Sequence, residues 1–435
     1  MQLLSVRCCL KCVSVVTFGR ESNALCRRLA VVGSVHETET TANRKTTSGN
    51  SDTENRNMKT RSRIPTVVVT AALLARLALP AVDKTNPQLT RPDAKAPDQT
   101  RKVKVFILMG QSNMVGMGDI NPDTKPGTLT TLAKTQKKYP FLVDDAGQWT
   151  VRKDVYYYDA RVKKGSPLSP TSNNGSSIGP ELGFGYVMGQ MLDEPVLVLK
   201  SCIGNRSLGW DLLPPGSERY EAEVTERGGQ KVTKVFAGYK DKPDSWVMDK
   251  AKGLATEPPP WLDKKTGKAI EWYAGKQYDD DMANAKAALE NLAKIYPDYK
   301  GQGYEIAGFV WWQGHKDQNA VHASRYEQNL VNLIKHLRKD YKAPNAMFVL
   351  ATGCGNPGRE SFGLQIAEAQ LAIADAKKHP EFAGNVKAVD SRDLWREADV
   401  SPKNQGYHYN RNAETYMETG LRLGWAMAEL LGKTK

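Results

Sequence analysis

From residue 102 onward, short apolar runs alternate with amphipathic stretches, and this alternation limits the fold more than any other feature of the sequence. The runs Val103–Met109, Pro195–Ser201, Glu305–Trp312, Ala346–Thr352 and Val386–Asp390 read as buried strands. Between them lie helix patterns. In 279–296, Met282, Ala285, Leu289, Leu292 and Tyr296 fall on one face. In 324–341, Tyr326, Leu330, Leu333, Ile334, Leu337 and Tyr341 do the same, and residues 362–378 and 413–431 repeat the style. Strands alternating with helices predict an α/β fold: a three-layer α/β/α sandwich around a five-stranded parallel sheet. Right-handed crossovers would then bring all strand C-termini to one edge, where ligands bind.

The unusual polar clusters follow these strands. The first run breaks at Gly110-Gln111-Ser112-Asn113. Gly204-Asn205-Arg206-Ser207 follows the second, and Gln313-Gly314-His315-Lys316-Asp317 the third. His408 sits in the last long loop, Gln405-Gly-Tyr-His-Tyr-Asn-Arg-Asn412. A Ser in such a turn has a bland role, capping the following helix, and a sharper one, attacking an electrophile. Its clustering with the other three polar groups favours attack. Two other regions stand outside the alternation. Residues 119–178, Gly/Ser/Asn/Pro-rich around an extended DVYYYDARV, are expected to form loops or a small β element on the same edge. Residues 211–278 are too long for a plain connection and are expected to be an insertion at the cleft rim.

The formal charge of +13 invites a nucleic-acid reading, but its distribution argues against one. Residues 1–82 hold 12 Lys/Arg and 5 Asp/Glu, a net of +7, which leaves +6 on the remaining chain. That body carries no basic patch interleaved with aromatics, so the charge is read as solubilising. Cys8, Cys9, Cys12 and Cys26 show no zinc spacing. Cys202 and Cys354 follow apolar runs and read as buried free thiols, with a disulfide between them left open. Residues 1–57 are read as a disordered or non-native extension, an artefact of start-site choice. Residues 58–82 begin at Met58 with a basic region, continue through IPTVVVTAALLARLALPA and offer Ala81 for cleavage. They read as a signal peptide, which predicts a secreted or periplasmic protein with no stable membrane span when mature. Residues 83–101 read as a linker, and 102–435 as the catalytic domain.

A Ser needs a base to take its proton, and His is the usual one. His36 lies in the extension. His336 and His379 lie on a helix pattern and at its end, where solvated roles suffice. His408, late in the chain, is the candidate base for Ser112, an order known in unrelated hydrolases. The α/β-hydrolase elbow does not fit, because position 114 is Met where Gly-x-Ser-x-Gly requires Gly. A metal site of His315, Asp317 and His322 matches no standard ligand spacing.

GQSNM after the first strand, the Gly204 turn after the second, WWQG after the third and a C-terminal His together resemble the sialate O-acetylesterase-like branch of the SGNH hydrolases, a pattern shared with carbohydrate esterase family six. The resemblance spans residues 102–432 and implies a flavodoxin-like SGNH fold. It implies Ser112 as nucleophile and His408 as base. It also implies an oxyanion hole from the Ser112 N–H, Gly204, Asn205 and the Gln313 side-chain amide, though a buried Gln often binds only backbone. Gln111, Arg206 and Trp312 are the candidate substrate contacts, with Trp312 as cleft wall and Arg206 as a group able to hold an anionic sugar.

This chain departs from the family pattern at two positions. Gln405 stands where Asp commonly precedes the His by three residues, and His315 stands where Glu commonly follows WQG. Asp317 is taken as the candidate acid, with Asp393, Asp399 or a backbone carbonyl as alternatives. The resulting expectation is a serine esterase that removes O-acetyl groups from a carbohydrate through an acetyl-Ser112 intermediate, with no cofactor and no metal. A binding relic of the same fold and a short-chain lipid esterase are its rivals.

Overall fold

In a computed structural model of the chain, residues 88–92, 96–353, 355 and 358–433 are described. They belong to one compact unit, Ala78–Lys435. The extension, the signal-peptide reading and Cys354 lie outside the described residues.

All five expected strands are present: β1 (Val103–Gly110), β4 (Val196–Lys200), β5 (Tyr304–Trp312), β6 (Met347–Ala351) and β7 (Val386–Val389). The sheet is nonetheless seven-stranded, not five-stranded. Two further strands, β2 (Arg152–Asp159) and β3 (Lys164–Leu168), extend it past β4, in the order β7-β6-β5-β1-β4-β2-β3. Every neighbouring pair is parallel except β2–β3. The DVYYYDARV stretch therefore belongs to the main sheet rather than to a separate loop element. Its consecutive tyrosines divide between the two faces: Tyr157 joins one core, while Tyr156 and Tyr158 join the other. The Tyr157 hydroxyl finds Asn173 Oδ1 at 3.0 Å, which lets so polar a run be buried.

Side chains of β1 alternate between two apolar cores. Phe106 and Leu108 face α2 (Glu181–Met191) and α6 (Ala413–Leu430), while Val105, Ile107 and Met109 face α3 (Lys276–Glu290), α4 (Ala320–Asp340) and α5 (Ser361–Ala372). Covering both faces explains why these strands read as continuous apolar runs. In α2, ELGFGYVMGQM, three glycines obscure the helical signal. Their purpose is close packing: a Cβ on Gly183 would lie 2.5 Å from Met417 O, and one on Gly420 of α6 would lie 2.3 Å from Pro180 O.

The region 211–278 builds its own antiparallel sheet from Tyr220–Thr225, Lys231–Phe236 and Ser245–Val247 over a small core that includes Leu213, Val235 and Trp246. The segment read as a linker is tied to the body: Thr90 N–H donates to Gln190 Oε1 at 2.9 Å and Asp98 N–H to Asp193 O at 2.8 Å. Among the described residues no helix is long and apolar enough to cross a membrane.

Candidate active site

β1 delivers Gly110 to a tight crossing, where a Cβ would sit 2.3 Å from Trp312 O. The chain then turns through extended Gln111 into a single helical turn, Ser112–Val115. Gln111, not Ser112, occupies the cap position, and it makes no side-chain cap bond. Ser112 is freed from the capping role, and its Oγ lies 2.9 Å from His408 Nε2. The two residues are 296 positions apart in sequence. Ser112 is 9% exposed, so the pair sits just below the surface.

His408 lies in a contorted turn. Tyr409, Asn410 and Arg411 have φ of 48°, 53° and 58°, three left-handed residues in succession. The turn is held from several sides. Tyr409 stacks on Trp312 with ring centroids 5.3 Å apart, Arg411 Nε donates to Asp119 Oδ1 at 2.7 Å, and Asn410 Nδ2 donates to Arg396 O at 2.9 Å. Burial, reinforced by the positive charge of Arg411 and then of His315, pushes the His408 pKa down to about 4, so the ring is a neutral acceptor at neutral pH. Its Nδ1 is buried and has no hydrogen-bond partner among the described residues.

Asp317 is therefore not the acid partner of His408 in this structure. Its Oδ2 accepts from the Leu208 N–H at 2.8 Å and from Gln313 Nε2 at 2.6 Å, and its Oδ1 accepts from the Gly209 N–H at 2.8 Å. It is fully buried, and burial raises its pKa against the opposing pull of His322. The carboxylate thus binds the loop after β4 to the end of β5. Asp393 pairs with Arg422, and Asp399 is exposed. The backbone carbonyl alternative has no support either, since Nδ1 meets no acceptor among the described residues. Gln405, in the position of the family's Asp, donates from Nε2 to the Tyr407 hydroxyl at 2.7 Å and leaves Oε1 buried with no partner among the described residues.

Gln313 also departs from expectation. Both amide hydrogens are committed, to Arg206 O at 2.8 Å and to Asp317, while Oε1 accepts from the Tyr326 hydroxyl at 2.9 Å. It braces the oxyanion-side loop instead of presenting a free donor. Gly204 does approach Ser112: a Cβ there would lie 3.2 Å from Ser112 Cβ. Asn205 is left-handed (φ 57°), and neither its N–H nor that of Gly204 has a partner among the described residues.

The substrate contacts divide. Trp312 is 1% exposed, packed between Tyr409 and Tyr416 with Nε1 donating to Thr352 O, so it is core and not cleft wall. Alternation places Trp311 in the opposite core, and a sheet covered on both faces leaves neither indole at the surface. Gln111 is buried. Arg206 remains partly exposed, its guanidinium 4.7 Å over Trp272 and its Nε donating to Gln277 Oε1 at 3.1 Å. Tyr407, which the sequence reading passed over, is 48% exposed, with its ring 4.5 Å from that of His408 and 6.0 Å from that of His315. Its position beside the base in the loop was the available signal.

The model of the family "carbohydrate esterase, sialic acid-specific acetylesterase" matches residues 102–237 and 264–429, more than half of the chain. The chain belongs to this family. It is a carboxylic ester hydrolase of the carbohydrate acetylesterase kind, and the serine–histidine pair lies within the matched residues. Solved structures similar to this esterase include a protein from Arabidopsis thaliana (15% identity, 75% of this chain and 98% of that one, TM-score 0.40). Others are a carbohydrate acetylesterase from Xanthomonas citri (12%, 75% and 56%, TM-score 0.40) and NanS (12%, 78% and 99%, TM-score 0.40). No curated protein matches the sequence. Residues 238–263, between the two matched segments, fall within the region 211–278 that carries the small antiparallel sheet.

Proposed function

We propose that this esterase removes O-acetyl groups from a carbohydrate through an acetyl-Ser112 intermediate, using a Ser112–His408 dyad. The observation that carries the reading is the 2.9 Å contact between Ser112 Oγ and His408 Nε2. Nε2 takes the hydroxyl proton as Oγ attacks the acetyl carbonyl. The negative charge that develops on the carbonyl oxygen falls beside the unpaired N–H groups of Gly204 and Asn205 and the N–H of Ser112, donors held in place before reaction. Collapse breaks the bond to the sugar oxygen, and the imidazolium returns its proton to that leaving alkoxide. A water then loses a proton to His408, attacks the acetyl-enzyme and releases acetate, restoring the Ser112 hydroxyl.

Ser112→Ala should lower acetate release from acetylated xylan, acetylated sialic acid and p-nitrophenyl acetate by on the order of 10⁴-fold or more, with an unchanged circular dichroism spectrum. Undiminished turnover in that variant would overturn the mechanism. An active-site phosphonate should label the wild type once per chain, whereas a binding relic would stay unlabelled. The apolar segment within residues 58–82 favours export, to be checked by N-terminal sequencing of the mature enzyme.

A further inference from the structure

Two buried side chains beneath the cleft are left unused by this mechanism. Asn113 directly follows the nucleophile and is 2% exposed; Tyr416, in the first turns of α6, is fully buried. The chemistry of the partners fixes which way the Asn113 amide points. Tyr407 O can only accept, so the Asn113 nitrogen faces it, at 3.3 Å. Asn113 Oδ1 then faces the Tyr416 hydroxyl at 2.6 Å, and that hydroxyl must donate. The same hydroxyl lies 3.1 Å from His408 O, which also only accepts, so its one proton is shared between Asn113 Oδ1 and His408 O. Burial pushes the Tyr416 phenol well above its ordinary pKa, so it keeps the proton it donates. The Tyr407 carbonyl is thus tied directly to the residue next to Ser112, and the His408 carbonyl is tied to it through the shared Tyr416 hydroxyl.

We propose that Asn113 and Tyr416 are positioning residues that set the distance and angle between Ser112 and His408. This rests on the serine-esterase reading. An imidazole whose Nδ1 has no acid is not oriented from its far side, so its placement falls to the backbone on which it stands. Asn113 makes that backbone answer directly to the nucleophile turn. The loop's other anchors lead to other elements, Tyr409 to Trp312 of β5, Asn410 to Arg396 and Arg411 to Asp119. Neither Asn113 nor Tyr416 reaches the surface to touch substrate. Their effect is therefore on attack geometry, where a displacement of about 1 Å can cost roughly 10²-fold in rate.

Tyr416→Phe removes one oxygen and keeps the ring in the core; Asn113→Ala removes the amide. Each variant, the double variant and Ser112→Ala are assayed on p-nitrophenyl acetate for kcat and KM. Each is also assayed for the rate and stoichiometry of phosphonate labelling. We expect each single variant to lose about tenfold or more in kcat, with KM within about twofold. Labelling should slow by the same factor while still reaching one per chain. The double variant should be no worse than the poorer single one, because the two residues act as one bridge. A purely structural role would lower the labelled fraction instead of the labelling rate. The inference is overturned by unchanged kcat, by loss explained wholly by the unlabelled fraction, or by penalties that multiply in the double variant. A silent Tyr416→Phe beside an inactive Ser112→Ala defeats this inference alone. An active Ser112→Ala defeats the esterase reading, and this inference with it.

Discussion

At the scale of single residues, the site trades an acid partner for burial. His408 has no carboxylate on Nδ1, and its pKa falls to about 4, chiefly through desolvation. The imidazole therefore stays unprotonated down to about pH 4. The acidic limb of kcat/KM should lie near pH 4 and not near the ordinary 6.5, as a pH–rate profile would show. Stability follows the same linkage. As pH drops below 6.5 the unfolded chain protonates this imidazole while the folded chain resists until about pH 4, so stability is lost across that window. Gln405→Asp would place a carboxylate three residues before the base, where Gln405 O already accepts the His408 N–H at 2.9 Å. It should raise the limb by about one unit or more. A limb that stays near pH 4 would mean that position 405 does not address the ring. The meeting of Ser112 and His408 could be anticipated from the sequence because each interrupts a pattern, one an apolar run and the other a turn-rich loop before the last helix. The fate of Asp317 and Gln313 was not. Their backbone partners in the loop after β4, Leu208, Gly209 and Arg206, lie over a hundred residues upstream, and no local spacing records such a contact.

At the scale of elements, strand ends are bound to one another by buried polar groups. Asp317 binds the loop after β4 to the end of β5 through three donors. Asp317→Ala leaves those donors without an acceptor, at about 1–3 kcal/mol for each that water cannot reach. It should lower both Tm and kcat, by about 10² in kcat through the displaced Gly204 and Asn205, while the acidic limb stays in place. Lys200, at the end of β4, plays a comparable part: Nζ donates to Glu181 Oε2 at 2.6 Å and to Val115 O at 3.0 Å, the last residue of the nucleophile turn. Lys200→Met strands a buried carboxylate and should cost about 3–5 kcal/mol in denaturant unfolding. The helices over 320–340 and 413–430 were readable from their apolar faces. That the extended stretch at 152–159 joins the main sheet was not, since its tyrosines resemble a polar edge until Asn173 supplies a hydroxyl partner.

For the whole molecule, the clearest constraint is the contact of α2 with α6. Gly420→Ala would drive a methyl group into Pro180 O, and the helices would have to part by several tenths of an ångström. A loss of about 1–3 kcal/mol is expected, seen as a lower Tm with kcat retained at low temperature. Three successive left-handed residues at 409–411 set a different condition. Each costs about 1–2 kcal/mol, so the run exists only while Trp312, Asp119 and Arg396 hold it from outside. A chain that has collapsed but not finished assembling would own every catalytic side chain and no working pair. On warming, such an enzyme falls silent before it melts: hydrolysis should fade several degrees below the calorimetric transition and return on cooling.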